Sequence, residues 1–299
     1  MTDGILCINK EEGFTSFDVV AKLRGILKTK KIGHAGTLDP MATGVLPVFL
    51  GRATKACDCL ADHDKTYRAS FRLGITTDTL DRTGTVLSTG EVRADEKDLL
   101  ALLPSLTGEI LQIPPMYSAV KVGGRKLYQL AREGREIERE PRPVTIYRLE
   151  LLGAGTVQDE YRIEVSCSKG TYIRSLCEEI GNRLGCGAVL TQLTRTRACG
   201  FSLEECMTLS EVEQAVREGF VGRHILPVER AFERYPKVEL DEGAAKLFFH
   251  GVKLDPARLN IPDASDCYRV YAPGYGFIAL GYIDEERAFR SRKFFVLQK

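Results

Sequence analysis

The chain has 299 residues and a mass of 33.2 kDa, which suits one sizeable domain with a smaller second domain. Hydrophobic residues make up 43 % of the chain and charged residues 28 %, which excludes a disordered or low-complexity protein. The formal net charge is only +1, so the overall charge does not indicate a nucleic-acid partner.

The first elements predicted along the chain are a short strand and a helix. The apolar run ILCI indicates the strand. Thr15 and Asp18 have the spacing of a helix-capping pair, so a helix is predicted to begin there. The residues of its predicted core-facing stripe recur at helical spacing and include one arginine: Phe17, Val20, Ala21, Arg24 and Leu27.

The next segment, KTKKIGHAGTLDPMATG, is predicted to be a glycine-rich loop that contains Asp39. Asp39 is the only carboxylate between Asp18 and Asp58. Seven cationic side chains share that interval: Lys22, Arg24, Lys28, Lys30, Lys31, Arg52 and Lys55. A carboxylate in these surroundings is expected to be ionised at neutral pH and to serve as a nucleophile or a base. An ordinary Asp-Pro turn beside a solvated lysine-rich surface is the alternative interpretation.

Alternation and helical spacing predict further elements in the middle of the chain. Tyr67, Ala69, Phe71 and Leu73 alternate with polar residues and indicate a half-buried strand. Asp95 is predicted to cap a short helix that ends before Pro104, and the glycine-rich, basic segment 112–143 is predicted to leave the core. A second strand is indicated by the alternating residues Tyr161, Ile163, Val165 and Cys167. A helix follows it, and its apolar face consists of Ile173, Leu176, Cys177, Ile180 and Leu184.

Arg174 lies near the start of that helix, outside its apolar face. We expect its guanidinium to reach Asp39 and to fix the direction of the carboxylate through a bidentate pair. A second acid-free interval, between Glu179 and Glu204, holds Arg183, Arg195 and Arg197. The two basic intervals suit a polyanionic partner better than the net charge suggests.

After Pro236 the sequence indicates a small β-rich domain, with one amphipathic stretch (EGAAKLFF) and short strands at CYRVYA, FIALGYI and KFFVL. The nine cysteines are scattered and odd in number, which predicts free thiols and a reducing compartment. The amino-terminal sequence has acids and no long apolar run, so neither a signal peptide nor a membrane anchor is expected.

Several chemistries lack their usual sequence signals. The four histidines are far apart in the sequence, at His34, His63, His224 and His250, and no cysteine pair has zinc-site spacing. The phosphate-binding loop, the dinucleotide-binding glycine motif and the serine nucleophile motif do not occur. We therefore predict neither a metal site nor a nucleotide cofactor.

The loop sequence GHAGTLDPMATGVLPV closely resembles the catalytic motif of the pseudouridine synthases of the bacterial tRNA pseudouridine-55 (TruB) family. The resemblance covers nearly the whole chain and continues through motifs in the expected order: INKEEGFTS, DKTYR, IPPMYSAVKVGGRKLYQLAREG, CSKGTYIRSL and GAVLTQLTRTRACGF. Near the C terminus, GFIALGYI resembles part of an RNA-binding PUA domain.

The resemblance implies an α+β chain in two parts. Residues 1–235 would form a pseudouridine synthase fold, with a central mixed, largely antiparallel sheet flanked by helices and an RNA-binding insertion at about 112–143. Residues 236–299 would form the PUA-like domain. The implied activity is isomerisation of the T-loop uridine 55 of tRNA after base flipping, without a cofactor or a metal. The expected partner is the T-arm stem-loop of tRNA, in the cytoplasm, with no membrane and no obligate protein partner.

The resemblance also implies roles for single residues. Asp39 corresponds to the catalytic aspartate, Arg174 to the arginine that pairs with it, and Tyr67 to the aromatic residue that stacks on the flipped uridine. His34 corresponds to the residue that fills the space left by that uridine. Two further residues correspond to pocket residues, Tyr172 and Leu193. The residues expected to contact the RNA backbone are Lys30, Lys31, Lys121, Arg125, Lys126 and Arg195.

Two positions depart from the family pattern. Glu11 and Glu12 follow Lys10 where the family often has Lys-Pro, and Thr194 precedes Arg195 where it often has two arginines. Both departures are expected to weaken phosphate contacts. Residue order leaves open whether Asp39 attacks the base, attacks the sugar or removes a sugar proton. It also leaves two alternative functions, namely a guide-dependent relative acting on ribosomal RNA and a non-catalytic RNA-binding or tRNA-folding protein.

Overall fold

The computed structural model describes residues 3–60, 64–261 and 265–296. The strands in these ranges are β1 (Gly4–Lys10), β2 (Ile32–His34), β3 (Thr43–Leu50), β4 (Lys65–Leu73), β5 (Ile75–Thr77), β6 (Val86–Thr89), β7 (Gly108–Gln112), β8 (Lys121–Val122), β9 (Arg125–Lys126), β10 (Arg142–Ala154), β11 (Glu160–Cys167), β12 (Ala188–Ala198), β13 (Phe201–Ser202), β14 (Lys237–Glu239), β15 (Tyr268–Ala272), β16 (Gly276–Ile283) and β17 (Phe289–Phe294). The helices are α1 (Ser16–Ile26), α2 (Glu96–Leu102), α3 (Leu127–Arg132), α4 (Ile173–Arg183), α5 (Leu209–Arg217) and α6 (Glu242–Phe249).

A nine-stranded sheet organises the larger part of the chain. Its order is β1-β3-β12-β4-β11-β10-β7, with β2 paired to β3 and β13 paired to β12. The pairing of β12 with β3 is parallel and the other pairings are antiparallel. The predicted α+β class with a central mixed, largely antiparallel sheet is therefore confirmed.

Helix α1 begins where the sequence predicts but faces the sheet with a different side. Thr15 is the N-cap, and its side chain and that of Asp18 form the reciprocal capping box. The buried residues of the helix are Ser16, Val19, Val20 and Leu23. Phe17 is 63 % exposed, so the predicted stripe through Phe17 and Ala21 is wrong. Rotating a helix by one residue changes its buried face by about 100°, and here contacts with the sheet select that face.

Other local predictions are confirmed. Strand β4 buries the predicted face of Tyr67, Ala69, Phe71 and Leu73. Helix α2 starts after its N-cap Asp95, with the backbone N–H groups of Lys97 and Asp98 donating to the Asp95 carboxylate. Helix α4 buries four of the five predicted apolar residues, and Leu184, the fifth, is half-buried. The nine cysteines are free thiols.

Most of the segment 112–143 lies outside the main sheet, although Gln112 of β7 and Arg142 and Pro143 of β10 pair within it. It contains the β8–β9 hairpin and α3, and it packs around a small apolar cluster of its own, formed by Met116, Leu127 and Leu130. Because the cluster is small, most of the basic residues of the hairpin are exposed. Its use as an RNA-binding insertion stays a prediction.

The C-terminal part forms a four-stranded sheet in the order β14-β15-β16-β17, and α6 coincides with the predicted amphipathic stretch. The strand predicted at KFFVL begins earlier, at Phe289, and ends at Phe294, while Leu297 lies outside the described residues. The first residue of β14 is Lys237, one position after the predicted start of the second domain. That division of the chain stays a prediction.

One apolar cluster joins the two sheets. It includes Val45 and Phe49 of β3, and it continues through Phe232 to Phe277 of β16 and Phe295. The Phe232 ring centroid lies 5.5 Å from that of Phe295 and 6.2 Å from that of Phe277. The C-terminal sheet is therefore packed on the sheet that carries Asp39 through a shared hydrophobic core.

Candidate active site

Asp39 lies in the loop between β2 and β3, and its side chain is 37 % exposed. The Asp39 carbonyl accepts a hydrogen bond of 3.0 Å from the Ala42 N–H, which closes a tight turn around Pro40. The carboxylate therefore projects from the turn toward solvent and is accessible to a bound molecule.

The amino-terminal segment holds this loop from one side. The Leu38 N–H donates to Ser16 Oγ at 2.9 Å, and the Gly13 N–H donates to the Pro40 carbonyl at 2.9 Å. Lys10 Nζ donates to the same Pro40 carbonyl at 3.2 Å. Backbone atoms on both sides of Asp39 are thus fixed by the start of α1 and the end of β1.

Lys10 is fully buried and cannot contact a phosphate. Its ammonium also donates to the carbonyls of Phe14 at 2.6 Å and Glu11 at 2.9 Å, so its three protons have backbone acceptors. Burial lowers the pKa of Lys10 to about 8, against an opposing contribution from the Asp39 carboxylate. Glu11 and Glu12, which follow Lys10, are both exposed, and their expected weakening of phosphate contacts stays a prediction.

Arg195 holds the loop from the other side, and its predicted contact with the RNA backbone is wrong. The side chain is 1 % exposed. Its Nε donates to the Val45 carbonyl at 2.8 Å, Nη2 to the Gly36 carbonyl at 2.9 Å and Nη1 to the Thr37 carbonyl at 3.5 Å. A guanidinium enclosed in this way is not available to a phosphate. It is a positioning residue for the Asp39 loop, and Thr194, whose hydroxyl lies 2.9 Å from Thr43 Oγ1, ties β12 to β3 beside it.

Gly44 explains how β12 comes so close to the loop. Its φ is +102°, and a Cβ at this position would lie 2.2 Å from the Arg195 carbonyl oxygen. A side chain would force the strands apart, so the glycine of the ATG motif is required by the close approach of Arg195.

Arg174 contacts Asp39 as expected, although the guanidinium is shared. Its Nη2 lies 2.8 Å from Asp39 Oδ2, and the side chain is only 4 % exposed. Nη2 also donates to the Tyr117 carbonyl at 2.9 Å, and Nη1 donates to the Thr79 carbonyl at 3.1 Å. The expected bidentate pair is therefore replaced by one contact with the carboxylate and two with backbone, which fix the guanidinium.

Two buried polar residues around Arg174 were not predicted. The Asp81 carboxylate, which is 5 % exposed, accepts from Thr79 Oγ1 at 2.8 Å and from the Thr83 N–H at 2.9 Å, and it thereby orders the turn whose carbonyl receives Arg174. Gln112 brackets the backbone of Tyr172, accepting from its N–H at 2.7 Å and donating to its carbonyl at 3.0 Å. A single buried polar residue such as Gln112 leaves no periodic pattern in a sequence. For Asp81 a local signal exists, because it lies in the turn sequence TTDTLDRTG.

The aromatic residues predicted for the pocket lie near Asp39. Tyr67 is 8 % exposed, and in the register of β4 and β12 it stands opposite Arg195, with Leu193 opposite Ala69 on the same face. Burial raises the pKa of Tyr67 and that of Tyr172, and the Asp39 carboxylate adds to both shifts. Both phenols are therefore neutral at physiological pH, and their rings suit an uncharged base.

His34 ends β2 and lies half-buried, five residues before Asp39. Burial lowers its pKa, and the nearby Arg195 guanidinium lowers it further. Its imidazole is therefore neutral at pH 7. Its Nδ1 is buried and has no hydrogen-bond partner among the described residues.

The remaining predicted cations lie on the surface. Lys30, Lys31, Lys121 and Arg125 are exposed and Lys126 is half-buried. Arg125 forms an ion pair with Glu133, and Lys126 Nζ lies 5.6 Å from the centroid of the Tyr128 ring. Their contacts with RNA stay predictions.

In the ranges that the structure describes, no group of three or more His, Cys, Asp or Glu side chains is arranged to hold a metal ion. His63 lies outside those ranges. No helix within them is long and apolar enough to cross a membrane.

Comparisons with known proteins agree with this geometry. A sequence profile described as TruB family pseudouridylate synthase (N terminal domain) matches residues 24–173, and one described as tRNA pseudouridylate synthase B C-terminal domain matches residues 174–233. The tRNA pseudouridine synthase B of Clostridium kluyveri is 44 % identical over 295 residues, which cover 98 % of this chain and 100 % of that protein. That of Clostridium acetobutylicum is 46 % identical over 287 residues, which cover 95 % of this chain and 96 % of that protein.

A solved structure of an H/ACA RNP bound to a substrate RNA containing 2'-deoxyuridine has a similar fold. The TM-score is 0.75 at 26 % identity, and the match covers 98 % of this chain and 85 % of that one.

The chain has a mixed sheet and an accessible carboxylate beside a buried arginine, and it matches these proteins over nearly its whole length. It is therefore a pseudouridine synthase, an isomerase that acts on RNA. The match extends from the central sheet into the C-terminal part of the chain. The chain belongs to the TruB family of tRNA pseudouridine synthases.

Proposed function

We propose that the chain converts the T-loop uridine 55 of tRNA to pseudouridine, acting alone in the cytoplasm, with Asp39 as its catalytic carboxylate. The observation that carries this proposal is the Asp39–Arg174 contact of 2.8 Å, which joins a solvent-accessible carboxylate to a guanidinium that is 4 % exposed. A carboxylate fixed in this way can meet a reacting base or sugar without first searching for its orientation.

The isomerisation breaks the bond from uracil N1 to the ribose and forms a bond from C5 to the same sugar carbon, so that the C5 proton is released and N1 gains one. There is no net redox change and no group leaves the nucleotide, which is why no cofactor is proposed. Attack of Asp39 on the base, attack on the sugar and removal of a sugar proton all start from the same carboxylate. In each route Arg174 keeps that carboxylate directed at the nucleotide.

The target must leave the folded T-loop before Asp39 can reach it, at a cost of a few kcal/mol. Stacking on Tyr67 returns about 1–3 kcal/mol of that cost. Tyr172 and Leu193 bound the same pocket, and their neutral or apolar surfaces suit uracil. His34 fills the space that the uridine leaves and opposes its return.

The surface cations hold the RNA by its phosphates and shape. Lys30 and Lys31 lie before β2, and Lys121, Arg125 and Lys126 lie in the insertion. Affinity for the T-arm is therefore expected to fall steeply as salt is raised. An affinity that hardly changes with salt would show that these cations do not form the interface.

The test uses the purified chain and unmodified tRNA, with neither metal nor nucleotide added. Pseudouridine is mapped by carbodiimide-dependent primer extension, and an isolated T-arm stem-loop is tested in parallel. Modification of both RNAs at uridine 55 by the wild type, and of neither by Asp39→Asn, is the expected result. Activity that requires a guide RNA or partner proteins would favour the guide-dependent alternative, which the likeness to the H/ACA RNP makes the second candidate. RNA binding without product would favour the non-catalytic one.

A further inference from the structure

Helix α4 presents Arg174 to Asp39 from its first turn, and Tyr172 is the N-cap of that turn. The start of a helix is usually fixed by an N-cap Ser, Thr, Asp or Asn side chain, often together with a Glu or Gln at the third helical position that accepts from the N-cap N–H. In α4 the N-cap is a tyrosine and the third helical residue is Ser175. Neither residue is of the type that forms this pair.

Gln112, the last residue of β7, supplies one half of that pair from outside the helix. Its Oε1 accepts from the Tyr172 N–H at 2.7 Å, which is the bond that a Gln at the third helical position would make. Its Nε2 donates at 3.0 Å to the Tyr172 carbonyl, which also accepts the first helical bond, from the Leu176 N–H at 3.1 Å. Gln112 is 6 % exposed, so both of its hydrogen bonds are shielded from water. The amide therefore fixes the position at which α4 begins.

Two neighbouring contacts hold the same turn. Ser175 Oγ donates to the Ile113 carbonyl at 3.0 Å, one residue after Gln112. The Tyr117 carbonyl accepts at 2.9 Å from Arg174 Nη2, the atom that contacts the carboxylate of the site. The segment that follows β7 is thus bonded to the backbone, the hydroxyl and the guanidinium of one helical turn. A displacement of this turn would move Nη2 away from the carboxylate.

The place of Gln112 in the sheet depends on its backbone and not on its amide. It pairs with Arg142 of β10, and such a pairing accepts many kinds of side chain. Burying an amide costs free energy unless hydrogen bonds offset that cost, so an apolar residue would satisfy the packing of the strand more simply. The two bonds to Tyr172 are therefore what the amide contributes.

We propose that Gln112 is a positioning residue for pseudouridine formation, which fixes the N-cap of α4 and thereby holds Arg174 in contact with Asp39. The proposal rests on the proposed function, since it takes Asp39 as the catalytic carboxylate. Because the Gln112 side chain is buried and bonded to backbone, it affects the chemical step and not the affinity for RNA.

The experiment measures single-turnover pseudouridine formation at saturating T-arm stem-loop, together with Kd. Gln112→Met keeps a side chain of similar volume and removes both amide hydrogen bonds. The rate is expected to fall by about 10- to 100-fold, as for a catalytic group displaced by up to about 1 Å, while Kd is unchanged. Ser175→Ala, which suits a helix, is expected to show a smaller loss of the same kind and serves if Gln112→Met folds poorly.

Glu160→Met is the matched control, because it also removes a buried side chain that makes hydrogen bonds. Glu160 is 8 % exposed, and its carboxylate accepts from Thr191 Oγ1 at 2.6 Å and from the Thr156 N–H at 3.1 Å. In the β4–β11 register it lies five residues from the partner of Tyr67, roughly 17 Å along the strand. A lower Tm with a normal saturated rate is expected. A rate loss equal to that of Gln112→Met would show that general destabilisation is enough, and would overturn the proposal.

A double-mutant cycle identifies the residue through which Gln112 acts. In the Arg174→Lys protein, Gln112→Met is expected to add little further loss of rate, because the guanidinium that it positions is already absent. Losses that simply multiply would show that Gln112 acts independently of Arg174, and they would refute the proposed role.

Hydrogen exchange separates this proposal from the proposed function, because it does not depend on turnover. The amides of Tyr172 and Leu176 are expected to exchange about 10-fold faster in Gln112→Met and at the wild-type rate in Glu160→Met. A wild type that makes no pseudouridine refutes the proposed function. Unchanged exchange at these two amides, or a normal rate for Gln112→Met beside an active wild type, refutes only the positioning role of Gln112.

Discussion

Substitution of Arg195 tests whether this residue positions the active-site loop or binds RNA. Its guanidinium makes two short hydrogen bonds, to the carbonyls of Val45 at 2.8 Å and Gly36 at 2.9 Å, and a longer one to Thr37. In Arg195→Lys one nitrogen replaces the two, Nε and Nη2, that make the short bonds from different points of a rigid fork, so we expect one of these bonds to be lost.

The expected cost follows from those contacts. One hydrogen bond from a buried charged donor is worth about 1.5–3 kcal/mol, so Arg195→Lys should lower the free energy of unfolding by about that amount. With an unfolding entropy of about 2.1 cal/mol/K per residue, a loss of about 2 kcal/mol in a chain of this size lowers Tm by roughly 3 °C. Because Thr37 is two residues from Asp39, a shift of about 1 Å in this loop should also lower the reaction rate by about 100-fold.

The assay is the single-turnover rate at saturating RNA, with Kd measured at several salt concentrations. Arg195→Lys should lower the rate and Tm and leave Kd and its salt slope unchanged. Arg197→Lys is the matched control, since Arg197 is exposed on the same strand. A phosphate-binding arginine would show the opposite pattern, with a higher Kd, a shallower salt slope and a normal saturated rate, and that pattern would refute the positioning role.

Three further predictions concern the same site. Asp39→Asn should abolish tritium release from C5-labelled tRNA while RNA binding largely persists, and wild-type release would refute its catalytic role. Arg174→Lys should lower the single-turnover rate by roughly 100-fold or more, because one ammonium cannot reach Asp39 and two carbonyls together; an unchanged rate would count against this. Lys10 has a folded pKa of about 8, below the unfolded value of about 10.4, so the unfolded chain binds more protons between these values and stability rises with pH there. Urea titrations measure the unfolding free energies of the wild type and of Lys10→Met at each pH. The difference between them should change by about 2 kcal/mol in favour of the wild type from about pH 7.5 to about 9.5. A constant difference would show that Lys10 does not titrate in this range.

The sequence was informative where a signal is local or strictly periodic. The capping pair of Thr15 and Asp18 fixed the start of α1, and the alternation along β4 gave its buried face. The contact of Arg174 with Asp39 was also expected, since a lone carboxylate needs a cation to direct it. Each of these depends on a few neighbouring residues or on the resemblance of a motif.

Sequence reasoning failed where distant residues decide the outcome. Arg195 looks like a surface cation in an acid-free interval, but its acceptors lie about 150 residues earlier in the chain. Lys10 is buried for a similar reason, because the Pro40 carbonyl covers it only after β1 and β3 pair. The orientation of α1 depends on the sheet beneath it, and so the exposure of Phe17 was not foreseen.

The apolar cluster shared by the two sheets fixes the position of the C-terminal sheet relative to the larger sheet. Phe232 packs against both Phe277 and Phe295, so the C-terminal sheet cannot swing away from the sheet that bears Asp39 without exposing aromatic side chains to water. For an RNA that contacts both surfaces, the distance between the two contact points is therefore set by the protein. Selectivity for the length of an RNA arm would follow from architecture, with no nucleobase being read.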